Sequence, residues 1–371
     1  MRQHRTRSPS RSETNAEALR EMTRVYTIDP AHPQGVALQV AANTLRRGGL
    51  VAFPTETVYG LGANALDVDA VTRIFQAKGR PANDPVIVHI RDLAQLDLVA
   101  ERPDNPAFHA ALSLWPGALT LILRRRPIVP AVVSAGLDTV AVRMPSGAVI
   151  RALLEAAQIP IAAPSANTFS RPSATTAAHV LEDLDGRIDI VLDGGATALG
   201  LESTILDLTG DTPLILRPGG ISHERLRALI PTVMQRERLL DMNETATAPG
   251  MLIRHYSPRA RLLLFDGEPD DARHAMLAEL RALVAQGKCA GVLAVEEDCA
   301  SFAEADAALE ILGSEADMEA VGRRLFAAMR ALDALGADVI LARTLSRAGV
   351  GAAIYDRLLR AAEGRVIHVR H

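Results

Sequence analysis

The sequence is poor in the residues that mark secreted and membrane-spanning proteins. Two cysteines occur in 371 residues, Cys289 and Cys299, and their spacing fits neither a CxxC pair nor a zinc site. A secreted disulfide framework needs more cysteines, and no apolar run approaches the roughly 18 residues of a membrane span. The first residues are too polar for a signal peptide. We therefore expect a cytoplasmic protein without a membrane segment.

Basic and aromatic residues are scarce for a nucleic-acid-binding protein. The 40 basic and 44 acidic residues give a net charge of −4, so the chain lacks the global basic field that duplex-binding proteins carry. Aromatic residues make up 3%, which leaves few stacking platforms for single-stranded RNA. A non-catalytic RNA-binding protein with a local basic groove is the alternative from another functional class.

Two common nucleotide-binding motifs are missing or incomplete. No GxxxxGK[ST] sequence occurs, which excludes a P-loop NTPase. Gly60-x-Gly62-x-x-Ala65 matches half of a dinucleotide fingerprint, but a polar turn separates it from the preceding strand. We interpret these glycines as loop residues that let the backbone turn tightly or approach a ligand.

The length and pattern of the chain predict two domains. Residues 1–24 are rich in Arg and Ser and predict a disordered, solvated tail, with a nucleic-acid-binding arm as the alternative. Residues 25–232 alternate short strands with helices and tight turns, which favours an open α/β sheet with parallel and antiparallel pairs. Residues 233–258 form a polar linker or lid. Residues 259–371 show the βα alternation of a smaller Rossmann-like domain.

Polar residues follow the ends of the first strand and of the helix after it. An apolar strand ends at Pro54 and places Thr55 and Thr57 on a loop. The next helix ends at Lys78, with Arg80 two residues later, where the helix dipole favours cations. Sites are usually built on such loops, so hydroxyls and cations are expected to meet here.

Further polar residues follow other predicted strands. His89 ends the strand at 86–88, Arg143 ends the strand at 140–142, and Arg217 ends the strand at 214–216. Ser165 and Asn167 follow the strand at 160–163. Arginine at the end of a buried strand suits bidentate binding of a carboxylate or phosphate. The cations and hydroxyls together therefore predict a phosphate and nucleotide site.

The chain after Val25 resembles the threonylcarbamoyl-AMP synthases. It is most similar to the two-domain form, in which a linker joins a YrdC-like domain to a smaller Rossmann-like domain. The resemblance rests on the motifs PTETVYGLGANA, FQAKGRP, VIVHI, WPGALT, GLDTVAVRMP, PIAAPSAN, LDGG, ESTILDL, LRPGGI and APGMLIRHYSP.

The resemblance implies an L-threonylcarbamoyladenylate synthase, which is a nucleotidyltransferase. This enzyme forms threonylcarbamoyl-AMP and pyrophosphate from L-threonine, bicarbonate and ATP. The product feeds a downstream machinery that modifies the adenosine 3′ of the anticodon in tRNA. Mg²⁺ would be carried by ATP, with no metal site supplied by the protein.

The resemblance also implies two sets of site residues. L-threonine would be held by Thr55 or Thr57, His89, Arg143, the backbone around Ala163, and Ser203. ATP would be held by Lys78, Arg80, Asp84, Thr139, Ser165, Asn167, Ser173, Arg217 and Tyr256. Lys78 and Arg80 would act electrostatically, since the reaction needs no covalent protein nucleophile. Tyr256 would close over the nucleotide as part of a lid that excludes water.

Asp84 departs from the family pattern. The family usually has asparagine before the proline that precedes the histidine-bearing strand, whereas here Asp84 precedes Pro85. An aspartate only accepts hydrogen bonds and repels phosphate, so the family's nucleotide contact is in doubt at this position.

A third hypothesis is carbamoyl transfer in hydrogenase maturation, which uses a similar domain. That family adds zinc-finger CxxC motifs and an acylphosphatase module, and neither occurs here.

Overall fold

The computed structural model describes residues 22–235, 246–251 and 255–369. The described residues contain two separate sheets, one of eleven strands in the first part of the chain and one of five strands in the second. We call these parts the first half, through Gln235, and the second half, from Arg259 onward. The predicted fold class, an open mixed sheet followed by a Rossmann-like α/β unit, is confirmed.

The sheet of the first half combines parallel and antiparallel pairs. Its strand order is β1-β8-β2-β3-β7-β4-β6-β5-β9-β10-β11. The strands are β1 Arg24–Thr27, β2 Val51–Pro54, β3 Tyr59–Asn64, β4 Ile87–His89, β5 Leu119–Arg124, β6 Thr139–Arg143, β7 Ile161–Ala162, β8 Ile190–Asp193, β9 Thr204–Asp207, β10 Leu214–Arg217 and β11 Met234–Gln235.

Seven helices accompany this sheet in the described residues. They are α1 Val36–Arg46, α2 Val68–Lys78, α3 Leu93–Val99, α4 Pro106–Leu112, α5 Ala148–Ala157, α6 Ala177–Leu184 and α7 His223–Leu229. Helices α1 and α5 pack on each other and, with Phe53, form one core. Helix α2 ends as its sequence predicts, because Gly79 takes the left-handed conformation (φ 65°) just after Lys78.

The register of three neighbouring strands aligns polar and apolar residues in rows. His89, Arg143 and Thr120 are register partners across β4, β6 and β5. One step along the same face, Ile87, Ala141 and Ile122 form a second, apolar row. Three linker residues, Ala246, Ala248 and Met251, are buried against this apolar row. The linker therefore covers the face of the sheet that carries the polar row.

The second half is a five-stranded parallel sheet in the order β14-β13-β15-β12-β16. Its strands are β12 Arg261–Asp266, β13 Ala290–Ala294, β14 Ala308–Ile311, β15 Val339–Arg343 and β16 Val366–His368. Its helices are α8 Pro269–Ala285, α9 Cys299–Phe302, α10 Met318–Ala334 and α11 Gly351–Ala361, with a 3₁₀ turn at Glu296–Asp298. Helices packed on a parallel sheet are the arrangement that its βα alternation predicts.

The prediction of a glycine-rich loop after Thr57 is wrong. Residues Tyr59–Asn64 form β3, which pairs antiparallel with β2. A Cβ on Gly62 would lie 2.5 Å from Cε1 of Phe53, and a Cβ on Gly60 would lie 3.0 Å from Cε2 of the same ring. Both glycines are therefore needed inside a strand, because the Phe53 ring packs directly on its backbone.

The structure also differs from the predicted limits of the tail and the linker. Thr23 is buried and donates to the Ile188 carbonyl, and Arg24 begins β1, so both belong to the folded part rather than to the tail. At the other limit, Met234 and Gln235 pair with β10 as strand β11. The predicted tail at residues 1–21 and the linker at residues 236–245 and 252–254 lie outside the described residues.

Two further findings concern the membrane and the thiols. In the described ranges, no helix combines the length and the apolar character that crossing a bilayer requires. Cys289 and Cys299 are both free thiols, the first exposed and the second half-buried.

Candidate active site

Thr55 organises the turn between β2 and β3. Its hydroxyl donates to the Val58 carbonyl at 2.7 Å and accepts from the Thr57 backbone N–H at 3.0 Å. It also lies 2.7 Å from the Thr57 hydroxyl. These bonds fix the turn, so Thr57 rather than Thr55 presents its hydroxyl to the rest of the site.

Arg143, at the end of β6, binds the same turn. Its Nη1 donates to Thr57 Oγ1 at 2.9 Å, and its Nη2 lies 2.7 Å from Glu56 Oε1. Glu56 also accepts from the backbone N–H groups of Ser146 and Gly147. Burial disfavours a charged carboxylate, but Arg143 and the Ser146 N–H outweigh it and lower the pKa of Glu56 to about 2.

His89 lies beside Arg143 as its register partner in β4. The imidazole is buried, and its edge packs on the Phe53 ring with centroids 6.5 Å apart. Burial first, and the nearby Arg143 second, lower the pKa of His89 to about 3. The ring is therefore neutral near pH 7, and among the described residues its Nδ1 has no hydrogen-bond partner. Ala163 donates its N–H to the Ile87 carbonyl and lines the same cavity.

Ser203 lies immediately before β9 and completes this side of the cavity. Its hydroxyl is 2.7 Å from that of Thr120, which completes the polar row on the sheet. Arg217 Nη2 donates to the Ser203 carbonyl at 2.8 Å, and Nη1 donates to the Pro249 carbonyl of the linker at 3.0 Å. Arg217 therefore connects the polar row to the linker.

Lys78 is a buried cation that closes the end of α2. Its Nζ donates to the carbonyls of Ser165 and Asn167 at 2.6 and 2.5 Å. Burial, and then the neighbouring Arg80, lower the pKa of Lys78 well below its usual value. Lys78 thereby joins the helix end to the loop after β7, and this brings together the two motifs predicted to bind phosphate.

Arg80 and Asp84 form a buried ion pair. Arg80 Nη2 lies 2.9 Å from Asp84 Oδ2, and neither side chain is more than 2% exposed. Arg80 also donates to the backbone carbonyls of Asp84 and Pro85. Burial raises the pKa of Asp84, although Arg80 and the Gly250 N–H oppose this. The aspartate that departs from the family pattern thus points its carboxylate at a cation predicted to bind ATP.

The loop after β7 is held by its own bonds and by acidic residues outside it, among them Asp183 and Glu202. Asn167 Nδ2 donates to the carbonyls of Thr168 and Arg171 and closes the loop. Ser173 Oγ donates to Glu202 Oε1 at 2.5 Å. The structure therefore places Ser165, Asn167 and Ser173 on one loop beside Lys78, although Ser173 is bonded to an acidic residue.

Thr139 is the predicted residue farthest from the others. It pairs with Arg124 at the opposite end of β6 from Arg143. Thr139 and Arg143 are four positions apart in the strand, which separates them by about 13 Å. By the two-residue period, Thr139, Ala141 and Arg143 share one face of the sheet, so Thr139 lies beyond the apolar row rather than in the cavity around Arg143.

The end of the linker forms the roof of the cavity. The ring of Tyr256 packs in the second half with its centroid 5.4 Å from that of Phe326, and its backbone has φ 62°. Its hydroxyl lies in the cavity and has no hydrogen-bond partner among the described residues. His255 is buried between Tyr256 and Phe169, with centroids 4.1 and 5.8 Å away. Tyr256 is therefore a core residue whose polar end faces the site.

The carboxylates at the site are paired with arginines rather than grouped for a metal. The pairs are Glu56 with Arg143, Asp84 with Arg80, and Glu202 with Arg357. No group of three or more His, Cys, Asp or Glu residues able to hold a metal ion occurs in the part of the chain that the structure describes.

Three residues at the site were not singled out as site residues from the sequence. Thr120 interrupts the apolar strand LTLIL, which is the signal that could have identified it. Glu202 directly precedes Ser203, which lies immediately before β9, and this position next to a predicted site residue is the signal that could have identified it. Arg357 lies on the apolar stripe of α11 with Ile354, Leu358 and Ala361, where a charged residue needs a partner.

Comparisons with known proteins agree with this architecture. A Sua5/YciO/YrdC family model described as telomere recombination matches residues 43–219, and the model of the threonylcarbamoyl-AMP synthase C-terminal domain matches residues 221–363. The threonylcarbamoyl-AMP synthase of Pyrococcus abyssi is 43% identical over 333 residues, covering 90% of this chain and 96% of that protein. The chain belongs to the threonylcarbamoyl-AMP synthase family.

Other members of the threonylcarbamoyl-AMP synthase family are similarly close. The synthase of Bacillus subtilis is 45% identical over 343 residues, covering 92% of this chain and 95% of that protein. The crystal structure of Pyrococcus abyssi Sua5 complexed with L-threonine superposes with a TM-score of 0.86 at 41% identity, covering 94% of this chain and all of that one (100%). The predicted two-domain form of the family is therefore confirmed.

Proposed function

We propose that this protein is an L-threonylcarbamoyladenylate synthase that makes threonylcarbamoyl-AMP and pyrophosphate from L-threonine, bicarbonate and ATP. The observation that carries the proposal is the arrangement of the cavity. Hydroxyls and Arg143 line one side, and Lys78, Arg80 and Arg217 lie around the other. Relatives that this chain matches over 96% and 95% of their length, at 43% and 45% identity, are named for this activity.

The polar row would bind threonine. Arg143 suits the amino-acid carboxylate because it is fixed at a strand end by Thr57 and Glu56. The neutral His89 and the Ser203 hydroxyl would receive the polar groups of threonine, beside the backbone of Ala163. Thr55 would act through the turn that it holds, since its hydroxyl is already bonded to Val58 and Thr57.

The buried cations and the loop after β7 would bind ATP. Lys78, Arg80 and Arg217 supply positive charge for the phosphates, while Ser165, Asn167 and Ser173 supply polar groups on a fixed loop. Thr139 lies on the same face of the sheet beyond the apolar row, where an extended nucleotide would reach it. The apolar residues Ile87, Ala141 and Ile122 would then lie under the base.

The reaction brings two anions together. Bicarbonate supplies carbon dioxide, which adds to the amine of threonine to give a carbamate, and the hydroxide from bicarbonate leaves as water with the amine proton. A carbamate oxygen then attacks the α-phosphorus of ATP. A phosphorus–oxygen bond forms as the bond to the β-phosphate breaks, and pyrophosphate leaves. Lys78, Arg80 and Arg217 would offset the repulsion and stabilise the charge on pyrophosphate. Mg²⁺ bound to the phosphates would add to this positive charge. This makes the enzyme a nucleotidyltransferase.

The linker would exclude water during the reaction. It already covers the apolar row through Ala246, Ala248 and Met251, and its Pro249 carbonyl binds Arg217. A carbamate and a mixed anhydride are both lost in open water, so a covering segment protects them. The linker would have to leave the apolar row when ATP enters, and Tyr256 would then contact the bound nucleotide.

The product belongs to tRNA modification. We propose that threonylcarbamoyl-AMP passes to a separate machinery that transfers the threonylcarbamoyl group to the adenosine 3′ of the anticodon. Threonylcarbamoyl-AMP is an activated mixed anhydride, so a transferase must consume it soon after release. Cytoplasmic location stays a prediction.

Pyrophosphate release tests the proposed function. The full-length protein should release pyrophosphate from ATP only when L-threonine and bicarbonate are both present. Replacing Arg143 with alanine should raise the KM for threonine by about tenfold or more, since a charged contact is lost, with little change in nucleotide binding. Release that is indifferent to threonine would disprove the proposal. Salt-sensitive tRNA binding without ATP turnover would favour the RNA-binding alternative.

A further inference from the structure

Arg357 of α11 reaches from the second half of the chain into the active site. Its side chain is completely buried. Nε donates to Glu202 Oε2 at 2.8 Å, and Nη1 donates to the Pro218 carbonyl at 3.0 Å. Its guanidinium carbon also lies 5.0 Å from the centroid of the Tyr256 ring. Three segments of the site therefore meet at one side chain of the other half.

The partners of Arg357 are themselves close to predicted ATP ligands. Glu202 lines the cavity, and its other oxygen accepts the Ser173 hydroxyl at 2.5 Å. Pro218 directly follows Arg217 in the chain. The turn after it packs closely on the Glu202 peptide, because a Cβ on Gly219 would lie 2.4 Å from the Glu202 carbonyl oxygen. A shift of Arg357 would move Ser173 and Arg217 together.

The charge of Arg357 also matters to the site. Glu202 places a buried carboxylate in a cavity that must accept a triphosphate. An uncompensated carboxylate there would repel the phosphates strongly, because the buried site screens charges poorly. Asp356 also pairs with Arg357, and Arg360 in turn pairs with Asp356. Arg357 thus cancels the Glu202 charge within a balanced cluster.

We propose that Arg357 is a positioning residue for ATP: it holds Glu202 so that the carboxylate fixes the Ser173 hydroxyl, and it cancels the carboxylate's charge beside the nucleotide. The inference rests on the proposed function and gives the second half a direct part in it. The threonine side, where Arg143 and Thr57 bind each other, has no bond to Arg357 among the described residues.

A double-mutant cycle tests this role in the full-length protein. Arg357→Met keeps the length of the side chain but removes the charge and the donors. We expect it to raise the KM for ATP about tenfold, the usual cost of one lost charged hydrogen bond, with less than a twofold change in the KM for threonine. Adding Glu202→Gln to it should recover at least half of the lost ATP affinity on a logarithmic scale, because no uncompensated carboxylate remains.

Arg343→Met is the matched control. Arg343 is equally buried, lies in the same half, and binds two acids, Asp298 and Glu315, which also belong to that half. Its loss should lower the melting temperature as Arg357→Met does but leave the KM for ATP unchanged. The proposal would be overturned if Arg343→Met and Arg357→Met raised the KM for ATP equally. It would also be overturned if the double variant had a KM for ATP as high as that of Arg357→Met.

Nucleotide binding separates this inference from the proposed function. Calorimetric titration with a non-hydrolysable ATP analogue measures affinity without turnover. If the wild type binds the analogue but releases no pyrophosphate, the proposed function fails. The same double-mutant cycle, measured as affinities for the analogue, then still decides the role of Arg357. If the wild type does release pyrophosphate and Arg357→Met binds the analogue as tightly as the wild type does, only the inference on Arg357 fails.

Discussion

At the scale of single residues, the candidate site is a cavity surrounded by arginine–carboxylate pairs. Arg143 binds Glu56, Arg80 binds Asp84, and Arg357 binds Glu202 and Asp356. A buried pair adds little net stability but leaves a costly charge when one partner is removed. The pairs therefore fix the positions of the arginines, and each acid determines how much positive charge remains for a substrate.

Under the proposed function, Asp84 would reduce the positive charge available to ATP. Its carboxylate lies 2.9 Å from Arg80, inside a cluster with Lys78 and Arg217. Asp84→Asn should lower the KM for ATP several-fold, because one negative charge beside the phosphates is removed. It should also lower the stability toward urea, since Arg80 loses its ion partner. Steady-state kinetics and urea unfolding check both effects, and a higher KM for ATP would contradict this assignment.

The Tyr256 hydroxyl can be tested separately from its ring. Tyr256→Phe keeps the packing on Phe326 and removes a hydroxyl that has no partner among the described residues, so the melting temperature should hardly change. The KM for ATP should rise about fivefold if the hydroxyl contacts the nucleotide. Tyr256→Ala is less informative, because the buried ring lies in a core and its removal would cost about 3–5 kcal/mol. Unchanged kinetics in Tyr256→Phe would show that the residue serves only packing.

Glu56 should make stability depend on pH in the acid range. Its pKa is lowered in the folded protein from 4.5 to about 2, so its stabilisation is complete above pH 4.5 and is lost as the pH falls toward 2. Between pH 4.5 and 3.5 the wild type should lose about 1 kcal/mol more than Glu56→Gln does. Urea unfolding of both proteins at pH 4.5 and 3.5 measures this difference. Parallel losses in the two proteins would contradict the buried ion pair with Arg143.

At the scale of elements, the linker and the polar row form one unit. Gly250 has φ 73°, and a Cβ there would lie 2.7 Å from the Tyr256 hydroxyl and 2.8 Å from Arg217 Nη1. Gly250→Ala should therefore loosen the linker and speed hydrogen exchange in residues 246–251, as mass spectrometry would detect. Gly136→Ala is the control, because its φ of 82° is similar but no atom lies within 4 Å of the added Cβ. Equal hydrogen exchange in both variants would mean that the backbone strain of an alanine at positive φ loosens the linker, and not the contact of the added Cβ with Tyr256 and Arg217.

Elements with clear apolar periodicity were predictable from the sequence. The sequence predicts helices near Leu93–Val99 and Ala177–Leu184, and α3 and α6 have these bounds. Strand β3 was not predictable, because Gly60 and Gly62 have low strand propensity and the Phe53 ring that requires them is a tertiary feature. Strand β1 was also missed, since its four residues are mostly exposed and carry no alternating pattern.

The site was predictable only where residues follow strand or helix ends. Arg143, Lys78 and Arg217 were identified from their positions. The structure brings Arg143 and Arg217 to one cavity, and Lys78 binds the carbonyl of Ser165, which lines it. The pairing of Arg357 with Glu202 spans 155 positions in the chain. No local pattern contains such a contact, because it depends on how the two halves pack.

At the scale of the whole molecule, buried ion pairs join the two halves. Arg330 of α10 binds Asp183 of α6 at 2.7 Å and donates to the Pro172 carbonyl, next to Ser173. Arg171 binds Asp333 of α10 at 3.2 Å. Together with Arg357, these contacts place the second half against the loop that would bind ATP.

Direct detection of the product tests the central claim most sharply. The full-length protein would be incubated with ATP, L-threonine and ¹³C-labelled bicarbonate, and the nucleotides separated and weighed by mass spectrometry. The claim predicts a species with the mass of threonylcarbamoyl-AMP that gains one mass unit from the label and appears together with pyrophosphate. Formation of AMP or ADP alone, or a threonine adduct without the labelled carbon, would contradict it.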